Sequence, residues 1–148
     1  MGTKTDIMKA NKYIHYKVET AITAQLSKTD LTAAQSHVLM CIMDGGDIYS
    51  SDIHRRLHIS RSSVSGLIKK LRANGYITYE SDGECSDERH KRICVTDKAW
   101  EHKAEIDRCM KNIENTAFEG FSDDELDTLS RLLAKMAENT KQITKGGL

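Results

Sequence analysis

With 148 residues, the chain is long enough for one domain with a real core, and its 22 basic and 22 acidic residues cancel to a formal net charge of zero. That balance excludes a globally basic nucleic-acid binder, and no apolar run approaches the roughly 20 residues that a membrane span needs. The N-terminus lacks the apolar stretch and cleavage site of a secretory signal, which points to a cytoplasmic protein with no membrane partner.

Charge is distributed unevenly. From Ile53 to Tyr79 stand Arg55, Arg56, Arg61, Lys69, Lys70 and Arg72 with no acid between them, whereas acids outnumber bases from Asp97 to Thr140. One face is therefore expected to meet phosphates while another stays in solvent. The four cysteines, Cys41, Cys85, Cys94 and Cys109, show no CxxC spacing and default to reduced thiols.

The first helix is predicted over about Thr5 to Ser27, with Ile7, Ile14, Val18, Ile22 and Leu26 at helical spacing. Thr32-Ala33-Ala34-Gln35 reads as a capping box. It opens a second helix that is apolar on all sides through Val38 to Met43, the expected centre of the core. Ser50 or Ser51 is expected to cap a short third helix with Ile53 and Leu57 inward, and His58-Ile59 to form a turn.

Ser60 then caps a fourth helix. In it Val64, Leu67, Ile68 and Leu71 form one buried stripe, and Asn74-Gly75 stops it. Tyr76–Glu80 and Arg92–Val95 read as a hairpin around a polar loop. Thr96 is expected to cap a fifth helix running to about Glu119. Ser122-Asp123-Asp124-Glu125 is a second capping box, opening a last helix with Leu126, Leu129, Leu133, Met136, Thr140 and Ile143 on a coiled-coil-like seam.

A turn between two short helices followed by a hairpin is a winged helix-turn-helix, which seats its second helix in the major groove of double-stranded DNA. The predicted class is thus mostly α with a small β-hairpin wing. Residues 32–96 would be the DNA-binding region. Residues 1–31 and 97–148 would be long dimerisation helices, all in one intertwined domain. Arg61, Ser62, Ser63 and Ser65 are placed to read base edges, where arginine pairs bidentately with guanine and serine donates or accepts. Lys69 and Lys70 would hold phosphates. Arg89 and Lys91 at the wing tip would reach the minor groove, and Asp87 would pair with Arg92 to hold the wing in shape.

The Asp87-x-Arg89-x-x-Arg92 wing, followed by Val95-Thr96-Asp97-Lys98-Ala99, resembles the wing and strand-to-helix turn of the multiple antibiotic resistance regulator (MarR) family. The resemblance covers about Ala10 to Gln142. It differs from the usual pattern at His90, where a second aspartate is common, and at Ala99, where glycine is. It implies a cytoplasmic homodimer with interlocking first, fifth and sixth helices, and repression relieved by small phenolic ligands, by metal or by thiol oxidation. The apolar stripes of the terminal helices point to two-fold pairing independently, and hence to a pseudo-palindromic operator.

Three sensing modes follow. Tyr13, His15, Tyr16 and His37 would line a cleft for a small phenolic or other organic anion, as the resemblance implies. His37 and Cys41, one helical turn apart, offer two ligands to a metal, and His102 and Glu105 could add to such a site. Cys85 and Cys94 in the wing would disturb the DNA contact if oxidised. A protein-binding module that has lost DNA is the rival reading. An enzyme is not expected, since no serine or cysteine has an evident base and no glycine loop cradles a phosphate. The residues identify no cofactor beyond such a small phenolic or other organic anion effector.

Overall fold

A computed structural model describes residues 2–46, 48–80 and 91–143. The element order is α1 (Lys4–Gln25), α2 (Ala33–Gly45), α3 (Ser50–Leu57), α4 (Arg61–Ala73), β1 (Ile77–Tyr79), β2 (Ile93–Val95), α5 (Asp97–Ala117) and α6 (Asp123–Thr140). This is the mostly helical winged helix-turn-helix that the sequence predicts. Residues 1–113 form one compact unit and residues 114–148 another.

In the first unit α2 is the centre. Its Val38, Leu39 and Ile42 are fully buried and pack with Ile22 and Leu26 of α1, Ile53 of α3, and Val64, Ile68 and Leu71 of α4. Each such side chain contributes about 1.5–3 kcal/mol by leaving water. The Thr32 capping box forms as expected. The Gln35 amide donates to the Thr32 hydroxyl at 3.3 Å, and the Thr32 amide donates to the Gln35 side chain at 3.0 Å. The Thr23 hydroxyl accepts from the Ala33 amide at 3.0 Å, which joins the end of α1 to the start of α2.

Two caps differ from expectation. Helix α3 begins at Ser50, not after it, because the Asp52 carboxylate takes the Tyr49 amide at 2.9 Å and so ties back the residue before the helix. At α5 the Thr96 hydroxyl donates to the Gly75 carbonyl at 2.6 Å and is spent on the end of α4.

The turn after α3 is closed at His58, whose φ of 53° is left-handed. That conformation is uncommon outside glycine, though histidine is among the residues that tolerate it. The His54 ring Nδ1 bonds the Ile59 carbonyl across this turn. Gly75, at φ 81°, ends α4 where a side chain would be strained.

The hairpin pairs Ile77 with Val95, Thr78 with Cys94 and Tyr79 with Ile93. Sequence reading missed a third partner: Ile48 bridges Ile93, whose amide donates to the Ile48 carbonyl at 2.9 Å. This extra rung fixes the base of the wing to the segment between α2 and α3.

In the second unit Ser122 and Glu125 form the predicted capping box, with reciprocal bonds of 2.9 and 3.2 Å. No residue of α6 is buried. Leu132 and Leu133 are half exposed, and Phe118 packs edge-on against Phe121 at 5.6 Å between ring centroids.

Candidate nucleic-acid interface

Helix α4 is held from below by Val64, Ile68 and Leu71, so its remaining positions must face outward. Its start is closed by Ser60, whose hydroxyl accepts from the Ser63 amide at 3.1 Å. The same oxygen meets the Ser62 hydroxyl at 3.1 Å and the Ser63 hydroxyl at 2.8 Å. The first turn therefore carries a connected group of hydroxyls where the helix dipole is positive and favours anions.

Arg61, Ser62, Ser63, Ser65, Lys69 and Lys70 are all exposed. They do not share one face. Arg61, Ser65 and Lys69 recur every four residues and form a single stripe. Ser62, Ser63, Gly66, Leu67 and Lys70 instead border a cavity of about 810 Å³ whose other walls come from α1, α2 and the turn after α3.

The basic stretch is smaller in effect than its sequence implies. Arg55 pairs with Asp52 on its own helix. Arg56 leans over the end of α2, with Nη1 2.6 Å from where a Cβ on Gly45 would stand, so the absence of that atom admits the guanidinium. Arg72 lies over the Tyr79 ring, 4.9 Å from its centroid. Arg61, Lys69 and Lys70 make no ion pair among the described residues.

At the foot of the wing Lys91 is half-buried, and Arg92 pairs with Glu80 at 3.0 Å. Its expected partner Asp87, the tip residue Arg89 and the thiol of Cys85 lie outside the described residues. Cys94 is half-buried on β2.

Of the four residues assigned to an effector cleft, His15 and His37 line the cavity. Tyr13 and Tyr16 do not line it. They stand 63% and 64% exposed, three residues apart, on a different face of α1. Glu19, which sequence reading passed over, lines the cavity and meets His37 Nε2 at 2.9 Å. Nothing local signals that pair, because its members are 18 positions apart on two helices.

The metal candidates are placed apart from one another. His37 turns to Glu19, and the Cys41 thiol faces Arg56. His102 and Glu105 stand 3.8 Å apart, with the His102 ring against Tyr76. Among the described residues no three His, Cys, Asp or Glu side chains converge as metal ligands. Burial pushes the Cys41 thiol above its ordinary pKa, opposed by the Arg56 guanidinium; burial and then Glu105 push Cys109 the same way. Both shifts run opposite to the lowered pKa that activates a thiol.

Residues 29–92, from the loop before α2 to the foot of the wing, match the sequence profile of the MarR family. Over that segment the chain is similar to MarR-family regulators. Across 144 residues it is 29% identical to the HTH-type transcriptional regulator SarZ of Staphylococcus haemolyticus, covering 96% of this chain and 86% of that protein. Two solved structures share the fold. A family member from Listeria monocytogenes, crystallised with 26-mer DNA, superposes with a TM-score of 0.81 at 24% identity over 91% of this chain and 89% of its own. Bordetella bronchiseptica BpsR, whose DNA binding is regulated by 6-hydroxynicotinic acid, superposes with a TM-score of 0.76 at 21% identity over 93% and 96%. The curated relatives that it matches are HTH-type transcriptional regulators. No described helix is long and apolar enough to cross a membrane.

Proposed function

We propose that this transcriptional regulator is a homodimeric repressor that reads a pseudo-palindromic duplex with α4 and releases it when a small organic anion fills the cavity. The carrying observation is the exposed Arg61–Ser65–Lys69 stripe on a helix whose opposite side is locked into the core. Such a stripe can offer an arginine to guanine, a hydroxyl to a base edge and an ammonium to a phosphate without moving the helix. The Listeria relative crystallised with DNA supports this use of the fold. Ser62, Ser63 and Lys70 are shared between the DNA side and the cavity, and Arg89 with Lys91 would extend the contact into the minor groove.

Dimerisation is supported by apolar surface that one chain leaves uncovered. Ile7 and Ile14 on α1 are more than half exposed, as is Ile143 after α6. Such surface is costly in water and is the usual mark of an interface. A two-fold dimer would present its α4 helices about one turn of duplex apart.

The effector reading rests on the composition of the cavity. Val18, Val38, Leu57, Ile59 and Leu67 supply an apolar body, and His15, His37 and Lys70 supply cationic or donor groups at its edge. That suits a flat acid of the kind that regulates the Bordetella relative. Because cavity and α4 share residues, an occupant would act on the reading helix directly.

The test is selection of bound duplexes from a random-sequence pool, with and without reductant. Enrichment of a two-fold site with half-sites one turn apart supports the proposal, and a redox difference would point to Cys85 and Cys94. No enrichment under either condition would overturn it.

A further inference from the structure

The end of α4 is gripped by one side chain from another helix. Lys98, in the first turn of α5, donates from Nζ to the carbonyl of Asn74, the residue that caps α4, at 2.6 Å. It also meets the Asp30 carboxylate, in the segment between α1 and α2, at 3.1 Å. The ammonium lies over the Tyr76 ring, 4.5 Å from its centroid, and the Lys98 stem passes 3.8 Å from where a Cβ on Gly75 would stand.

We infer that Lys98 is a positioning residue for DNA recognition: it fixes the C-terminal end of α4 to α5, so that the tilt of the reading helix follows the tilt of α5. This rests on the proposal that α4 reads DNA. A single exposed lysine pair is worth little by itself. Here one ammonium joins three segments far apart in sequence, and it does so where the helix dipole is negative and a cation is favoured. The aromatic face adds a further attraction.

The base of the side chain is equally fixed. Ala99 is fully buried, and Thr96 donates its hydroxyl to the Gly75 carbonyl, so the first turn of α5 is anchored on both sides of Lys98. The amides of Asn74, Gly75 and Tyr76 bond back to Lys70, Arg72 and Leu71, which makes this cap a small, well-defined unit. The other end of α4 is closed locally, by the Ser60 hydroxyl on the Ser63 amide. A shift of α5 would therefore be delivered to α4 as a rotation about its N-terminal turn.

Lys98→Met keeps the apolar stem over Gly75 and Tyr76 and removes the charge, while Lys98→Arg keeps a donor and a cation. The probes are the duplex enriched by the wild-type protein and a scrambled duplex of equal length. Lys98→Met should lose about tenfold in affinity for the enriched duplex. Its affinity for the scrambled duplex and its salt slope should stay at wild-type levels, because no phosphate contact is lost. Lys98→Arg should recover most of the difference. Hydrogen exchange of the Asn74, Gly75 and Tyr76 amides should quicken in Lys98→Met, with no change at the α4 N-terminal turn.

Equal losses on both duplexes with a flatter salt slope would make Lys98 a phosphate contact and overturn the inference. So would an unchanged affinity for the enriched duplex. If no duplex is enriched at all, the DNA-reading proposal fails by itself. The exchange measurement then decides for Lys98: faster exchange at the cap upholds its hold on α4, and unchanged exchange overturns it.

Discussion

His37 on α2 and Glu19 on α1 meet at 2.9 Å in the wall of the cavity that also touches α4. The pair links the helix at the centre of the core to one whose first half is exposed. The side chains are 41% and 30% exposed, so solvent screens their attraction. His37→Ala should cost less than about 1 kcal/mol in urea unfolding, the range of surface pairs. A loss above about 2 kcal/mol would show that the pair works as a buried one.

The stripe on α4 predicts two distinct signatures. Arg61→Ala should cost about 1–3 kcal/mol on the preferred duplex and relax the choice of base at one position. Lys69→Ala should instead weaken binding to every duplex and lower the salt slope by about one. Titrations over a salt series separate the two. The same response from both variants would contradict the division of labour.

Acid should loosen three helix starts. Amides of Thr3, Tyr49 and Ser122 donate to Asp6, Asp52 and Glu125 and hold these carboxyls below their ordinary values. A carboxylate with a lowered folded pKa stabilises fully above its unfolded value, near 4, and loses that stabilisation as pH falls through the folded value. Helical signal from the starts of α1, α3 and α6 should therefore be constant from pH 7 to about 5 and decline below about pH 4. Residue-resolved NMR shifts would show it, and Asp52→Asn should remove the decline at α3. A decline centred near pH 6 would assign it to histidines.

The described thiols predict a simple chemistry. With burial pushing Cys41 and Cys109 upward, alkylation by iodoacetamide at pH 7 should be slow for both in the folded protein and fast after unfolding. Mass spectrometry of peptides reads this directly. Rapid labelling of Cys41 would mean that Arg56 outweighs burial.

Tyr76 gives the cleanest stability test. Its ring is fully buried, and its hydroxyl makes no hydrogen bond among the described residues. Tyr76→Phe should thus be neutral or stabilise by up to about 1 kcal/mol, since a desolvated polar group is removed. Ile42→Ala, at the centre of α2, should cost about 2–5 kcal/mol. Thermal melts distinguish them.

What sequence revealed here depended on range. Periodicity and caps act over three or four residues, so Thr32 with Gln35, the Val64–Ile68–Leu71 stripe and Gly75 were all legible. The Ile48–Ile93 bridge, the Glu19–His37 pair and the Lys98 contacts join positions 18 to 68 residues apart. No local pattern specifies those. Tyr13 and Tyr16 show the complementary error: ring chemistry suited a cleft, but their position on the helix turned them away from it. Spacing likewise paired His37 with Cys41, whereas in the fold His37 meets Glu19.

The most direct measurement is the affinity for an enriched two-fold duplex against a scrambled one, followed by fluorescence anisotropy from about 50 to 200 mM salt. A reader of the kind proposed should prefer the enriched duplex by about a thousandfold or more and weaken steeply as salt rises. Equal affinity for both duplexes, or an affinity that salt leaves unchanged, would contradict it.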